Sequence, residues 1–411
     1  MPPATIHLRQ KIAQKSMTLS AEQLMNRART ATGIEIDDIE VREPLRVLVN
    51  SLNTEACLRP SGKQAIEERL VRLLSNRLRM ERDFIAHPEI GREKIVAPLF
   101  ISGMPRSGTT KMQKLLSVAG DFTELPFWMT FSPSLITGYR EENTGERIAD
   151  TDAYVAWVER NGPKIRQVHP FSTHEPEEVN PILEQAFHNY YWSAFFDIPS
   201  FVAWETTQDP HLQLRYLHRT LQYLQWQFGI DTTRPWVLKN PTFVGMEPVI
   251  RNVFPDAKLI MTHRHPSRCV ASSISLMAAF HTLHTDAAVA SPTIEVTESP
   301  GYLLLEGLAA AMKQNANNRS TFPELGIIDI AYTALTTDAI SVVEQVYRGI
   351  GMPFSDAARA RITQWEASHP QHQHGAHTYA LADFGLTDTM VEERFSDYLR
   401  EFAPYFQSNR N

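Results

Sequence analysis

The run PLFISGMPRSGTTKMQKLLS, residues 98–117, limits the fold of this 411-residue chain more than any other stretch. It reads as a short apolar strand, a turn bracketed by Gly103 and Gly108, and the start of a helix. A strand that passes through a glycine turn directly into a helix begins a crossover unit, so a parallel sheet covered by helices is expected. The first amides of such a helix have no partners within it and carry the positive end of its dipole. An anion can sit there.

Gly103-Met-Pro-Arg-Ser-Gly108-Thr-Thr110 keeps the two-glycine frame of a phosphate loop, with Thr109 where lysine usually stands. Gly108 lets the backbone approach an anion closely. Arg106 supplies a forked, permanent charge, and Ser107, Thr109 and Thr110 supply hydroxyls. No aspartate in the stretch is placed to hold magnesium, so the loop suits an anion met without an obligatory metal. A glycine turn made only for packing is the plainer alternative.

Further strand candidates at 235–239, 257–262 and 326–332 join the one at 95–102, with helical stretches between them. The expected architecture is an α/β, P-loop-like parallel sheet over residues 95–411, preceded by a helical extension over 1–94. In that extension Ser20 with Gln23 and Ser61 with Gln64 match capping boxes. Ile66, Leu70, Leu73, Leu74 and Leu78 share one helical face, while Glu67, Glu68, Arg72 and Arg79 point elsewhere. The extension reads as a packing appendage, or as a cover for a substrate pocket or a subunit interface. The Pro/Ser-rich segment 290–301 reads as a loop. The His-rich HPQHQHGAH at 369–377 has no strong metal-ligand spacing.

A second anion site is suggested by FPDAKLIMTHRHPSRCVASSIS, residues 254–275. Arg264 falls just past a strand, Pro266 suits the first position of the next helix, and Ser272 lies about two turns into it. An arginine and a serine so placed can grip one compact phosphate; a surface arginine with a structural serine fits equally. Two anion sites on neighbouring strands suggest a nucleoside phosphorylated at both ends.

The net charge of −7 argues against broad nucleic-acid coating. Two cysteines, Cys57 and Cys269, give no disulfide framework and no metal spacing. MPPATIHLRQKIAQK has no apolar signal-peptide core, and no stretch approaches a membrane span. A cytoplasmic protein is expected. A homo-oligomer is compatible with all of this.

GMPRSGTT followed by THRHPSRCVASS resembles the paired cofactor motifs of the PAPS-dependent sulfotransferases, in particular their bacterial-type branch, related to tyrosylprotein and carbohydrate sulfotransferases. WVLKNP at 236–241 resembles that branch's strand ending in Lys-Ser-Pro, and VHPFSTHEPEEV resembles its His-Pro and Pro-Glu-Glu segment. The likeness covers about 95–280 and extends loosely through HTYALADFGL at 377–386. It implies that Arg106, Ser107, Gly108, Thr109 and Thr110 hold the 5′-phosphosulfate of PAPS (3′-phosphoadenosine 5′-phosphosulfate). Arg264 and Ser272 would hold its 3′-phosphate. The product would be adenosine 3′,5′-bisphosphate, and no metal would be required.

Sulfuryl transfer should follow phosphoryl-transfer logic, with charge growing on the departing oxygen and a proton leaving the acceptor hydroxyl. Arg106 and the helix amides are the first stabilisers. Lys239, matching the family's strand-end lysine, is the second, although a structural lysine fits the same position. Bases are harder to assign, because Met129 stands where part of the branch has glutamate and Phe243 where it often has histidine. The candidates are His169, histidine being the residue type whose unperturbed pKa suits a general base, then Glu178 and Glu124. Aromatic clusters at 127–131 and 190–196, with Met277 through His284, either line a greasy pocket or belong to the core. A lined pocket would suit a hydrophobic alcohol or phenol as the small-molecule acceptor. The alternatives are a noncatalytic nucleotide-binding scaffold and a P-loop nucleotide kinase.

Overall fold

A computed structural model describes residues 18–286, 299–369 and 380–406. Most of the segment 290–301, and HPQHQHGAH apart from His369, lie outside the described residues. So do the first three residues of HTYALADFGL.

Three helices come first: α1 (Ala21–Thr32), α2 (Ile39–Thr54) and α3 (Pro60–Ala86). Ser20 caps α1 as expected, accepting from the Gln23 amide. The second expected cap is displaced. Pro60 opens α3, so the cap position falls on Arg59, and the Ser61 hydroxyl accepts from Arg59 Nε at 3.0 Å. Proline at the first helical position loses no hydrogen bond and outranks the serine. The α3 residues Ile66, Leu70, Leu73, Leu74 and Leu78 are all buried, each such side chain contributing about 1.5–3 kcal/mol. They pack with Phe187, Trp192, Phe196 and Phe201 in a core shared with the chain's middle.

All four expected strands form, as β1 (Leu99–Gly103), β2 (Val237–Lys239), β3 (Lys258–His263) and β4 (Ile328–Ala331). They make one parallel sheet in the order β2-β1-β3-β4. Between and after them run α4 (Thr109–Ala119), α5 (Gly145–Asn161), α6 (His211–Phe228), α7 (Pro266–His281), α8 (Pro300–Thr321), α9 (Ala339–Ile350) and α10 (Asp356–Ser368). Alternation along β1 sends Phe100 to the face covered by α6, and Leu99 and Ile101 to the face covered by α4, α9 and α10. Helices on both faces explain why the strands read as continuous apolar runs. With β1 central, its carboxyl end and that of β3 meet at the middle of one sheet edge. Ligands bind at such edges in open parallel sheets.

Candidate active site

The glycine loop joins β1 to α4. Gly103 has φ 141°, and a Cβ on it would lie 2.5 Å from Thr262 Oγ1 and 2.7 Å from Ser107 Oγ. The loop is therefore pressed against β3. Gly108, at φ 101°, stands at the N-cap of α4 and provides no side-chain cap. The opening amides of α4 are left to an outside acceptor. Ser107 is buried, and its hydroxyl bonds to the Met104 carbonyl and to Thr262 Oγ1, both at 2.6 Å. That hydroxyl holds the loop's shape. Thr109 is buried, and the Thr110 hydroxyl faces Lys239 Nζ at 3.3 Å.

Arg106 has φ 70°, a conformation that costs a non-glycine residue about 1 kcal/mol or more. Its Nε donates to Ser272 Oγ at 3.1 Å and its Nη1 to the Val168 carbonyl at 3.0 Å. Arg264 Nη1 donates to the Arg106 carbonyl at 2.9 Å, and its guanidinium lies 4.2 Å over the Tyr332 ring. The two expected anion sites are thus coupled, since Ser272 touches the arginine of the first site and Arg264 grips that residue's backbone. Pro266 opens α7 as expected. Cys269, buried beside both arginines, is no nucleophile, because burial pushes its thiol up to about 12 despite the two positive charges.

Lys239 ends β2 and is fully buried. Its ammonium lies 2.7 Å from Glu178 Oε1 and 3.8 Å from Glu177 Oε1. Asn180 holds the other Glu178 oxygen at 2.6 Å, and Asn240 holds Asn180 at 2.8 Å. Glu177 Oε2 is 3.4 Å from His169 Nε2, and its Oε1 accepts from the Glu178 amide at 2.8 Å. Burial works against ionisation of Glu177, but His169, Lys239 and that amide outweigh it and hold the carboxyl at about 2. The contacts close a ring that begins and ends on the loop: Arg106, Val168–His169, Glu177, Lys239, Thr110.

Glu124 is exposed beside the start of β2, where Thr123 bridges Trp236. Although it is exposed, partial desolvation by its surroundings and the nearby Glu175 push its carboxyl up, with Arg234 opposing. No hydrogen bond among the described residues joins it to the Lys239 cluster. Phe243 is core, its ring 5.2 Å from that of Phe100, and Met129 packs at the edge of the same cluster.

A narrow pocket adjoins His169, Glu177 and Glu178, walled by Phe127, Phe131, Tyr154, Phe171, Tyr191 and Phe195. The clusters at 127–131 and 190–196 therefore divide, some side chains facing this space and others, such as Trp192 and Phe196, the core. Phe280 packs behind Phe171 and Phe195. The far wall holds Arg69, Arg72 and Glu184. Arg72 does not point away as its helical position suggested; its Nη1 donates to the Phe131 carbonyl at 2.6 Å.

Sequence reasoning missed Glu177, Thr262, Tyr332 and the α3 arginines. Glu177 was within reach, since either glutamate of the Pro-Glu-Glu segment could have been chosen. The others are set by packing.

A parallel α/β fold with a donor-rich loop, two arginines and a buried lysine–carboxylate centre defines a group-transfer site for an anionic donor. Residues 98–356 match the model of the sulfotransferase family, and the chain belongs to that family of sulfate-transferring enzymes. It is 23% identical over 312 residues to omega-hydroxy-beta-dihydromenaquinone-9 sulfotransferase Stf3 of Mycobacterium bovis and of Mycobacterium tuberculosis, covering 72% of this chain and 74% of each relative. Sulfotransferase STF1 of M. tuberculosis superposes with TM-score 0.76 at 26% identity, over 92% of this chain and 99% of its own. STF9 of Mycobacterium avium does so with TM-score 0.80 at 25% identity, over 94% and 97%. Among the described residues no helix is long and apolar enough to cross a membrane, and no group of three or more His, Cys, Asp or Glu could hold a metal ion.

Proposed function

We propose that the chain transfers the sulfuryl group of PAPS to the hydroxyl of an apolar small-molecule acceptor held in the aromatic pocket. The carrying observation is the closed ring of contacts, which ties the anion loop to the Val168–His169 segment and to Lys239. The donor set fits a doubly phosphorylated nucleotide. The opening amides of α4, Arg106, Arg264, Lys239 and the Ser272 hydroxyl, which accepts from Arg106, can all donate to an anion, and no carboxylate lies in the loop itself. PAPS, when bound, supplies a sulfuryl group on a phosphate that departs readily.

The chain's own residues do the rest. Arg106 and the α4 amides hold the anion, with Thr109 and Thr110 at the helix start. Lys239, fixed between Thr110 and Glu178, places a positive charge where the departing oxygen gains its negative one. His169 accepts the proton of the acceptor hydroxyl. Glu177, ionised at any working pH, takes the His169 Nε2–H and so leaves the other ring nitrogen as the base. Phe127, Phe131 and Phe171 exclude water and receive the apolar body of the acceptor. A relative named for a hydroxylated dihydromenaquinone agrees with that acceptor class. The reading fits a cytoplasmic enzyme, with the anion loop and Lys239 in residues 95–411 and α3 completing the acceptor pocket.

Thermal shift with adenosine 3′,5′-bisphosphate tests it. At 100 times the Kd, binding to the native state alone adds about 2.7 kcal/mol. The expected result is a clear rise in Tm without magnesium, reduced at least tenfold in affinity by Arg106→Ala and by Arg264→Ala. Preference for ATP with magnesium, or indifference to both substitutions, would sink the assignment.

A further inference from the structure

We propose that the acceptor carries, apart from the hydroxyl that is sulfated, a neutral oxygen that accepts a hydrogen bond from Arg69. The proposal rests on the sulfotransferase reading above and names a further feature of its substrate.

Arg69 reaches the pocket from α3 and is only 8% exposed. Its guanidinium cannot swing aside. Nε and Nη2 form a two-point pair with Glu184, the first at 3.1 Å, and the group lies 4.2 Å over the Phe195 ring and 4.9 Å over Trp192. The remaining nitrogen, Nη1, is buried and has no hydrogen-bond partner. Native proteins rarely leave such a donor unsatisfied, and one belonging to a residue on a pocket wall calls for a partner from outside the chain. Neighbouring Arg72 is satisfied by the Phe131 carbonyl and rests 3.5 Å over that ring, so it does not compete for the same partner.

Charge decides what kind of oxygen fits. Arg69 and Arg72 line the pocket together with Glu177, Glu178 and Glu184, Arg69 paired with Glu184, and Lys239, paired with Glu178 behind the lining, brings the cations level with the carboxylates. A carboxylate or sulfate on the acceptor would lie against Glu184 with no surplus cation to balance it. A carbonyl, ether or hydroxyl oxygen takes the free N–H without disturbing the pair. Arg69 lines the pocket from α3, while Lys239 arrives from β2, so the recognised oxygen is placed away from the reacting hydroxyl.

The experiment uses the full chain and a panel of long-chain alkyl phenols. In each, one methylene, at least two carbons from the ring, is replaced by a ketone carbonyl at successive positions. The readouts are kcat/KM and, with adenosine 3′,5′-bisphosphate bound, Kd. At one position the ketone should exceed its methylene parent by about 10- to 100-fold. Arg69→Met/Glu184→Met together should bring that ratio close to one; both partners are replaced because a lone buried charge threatens folding. Retained bisphosphate binding reports that the variant is folded. A flat ratio across the panel overturns the proposal, as does a ratio that survives the double substitution. Bisphosphate binding without any phenol bound or sulfated also overturns it. Failure to bind the bisphosphate at all refutes the sulfotransferase reading instead.

Discussion

Lys239 has no access to water, and a buried ammonium is tolerated only beside compensating charge. Glu178 and Glu177 provide it, and the arrangement has measurable consequences at the scale of single residues. Lys239→Met should lower kcat about 10²–10³-fold while changing bisphosphate affinity much less, because in the proposed mechanism its charge acts mainly on the departing oxygen. Steady-state kinetics beside thermal shift separates the two effects. Glu177 predicts a pH dependence. Its folded value near 2 lies below the ordinary carboxylate value of about 4.3, so its contribution is complete above the latter and disappears as pH falls toward 2. Over that acid window the wild-type protein should lose on the order of 2–3 kcal/mol that Glu177→Gln does not lose. Denaturant melts at several pH values between about 5 and 2 would show parallel curves if Glu177 were not so held. The motifs made Lys239, at a strand end, and His169, beside a proline, legible as candidates, and Glu178 through the Pro-Glu-Glu segment. Glu177 was missed because neighbouring identical residues differ only in where the backbone aims them.

At the scale of elements, the approach of α3 to the end of α7 is set by one small residue. A Cβ on Gly62 would come within 1.9 Å of the His284 carbonyl oxygen, and that oxygen belongs to the backbone. Gly62→Ala should therefore push the two segments apart, costing about 2–3 kcal/mol. It should weaken acceptor binding more than bisphosphate binding, since α3 walls the aromatic pocket and not the loop. Equal losses for both ligands, or none, would show that α3 is not fixed by this contact. The four strands could be read in advance because short apolar runs bounded by turn residues are buried on both sides. The pocket wall could not. Arg69 and Arg72 sit in a helix that also carries buried charges such as Arg77 and Asp83 and exposed ones such as Glu68, and helical periodicity alone does not tell a charge at the pocket from a charge elsewhere. The displaced α3 cap is similar, as two adjacent residues each carried a start signal and only one could act.

For the whole molecule, the amino-terminal helices share their core with the chain's middle: Leu24, Leu45, Leu70 and Leu73 belong to one cluster with Phe187, Trp192, Phe196 and Phe201. Removing residues 1–94 would expose those aromatic side chains. The shortened chain should show no cooperative thermal transition, whereas the full chain should; a calorimetric trace with a sharp, unshifted transition for the fragment would make the helices a detachable extension. The site is equally distributed along the chain. Thr110 and Lys239 are 129 residues apart, and Arg106 and Ser272 are 166 apart. Closing loops of that length is entropically slow compared with forming local helices. During synthesis the glycine loop leaves the ribosome long before β2 and β3, its two neighbours in the sheet. The nascent loop therefore spends that interval without its partners, and the proposed nucleotide affinity would be acquired in one late step instead of growing with chain length.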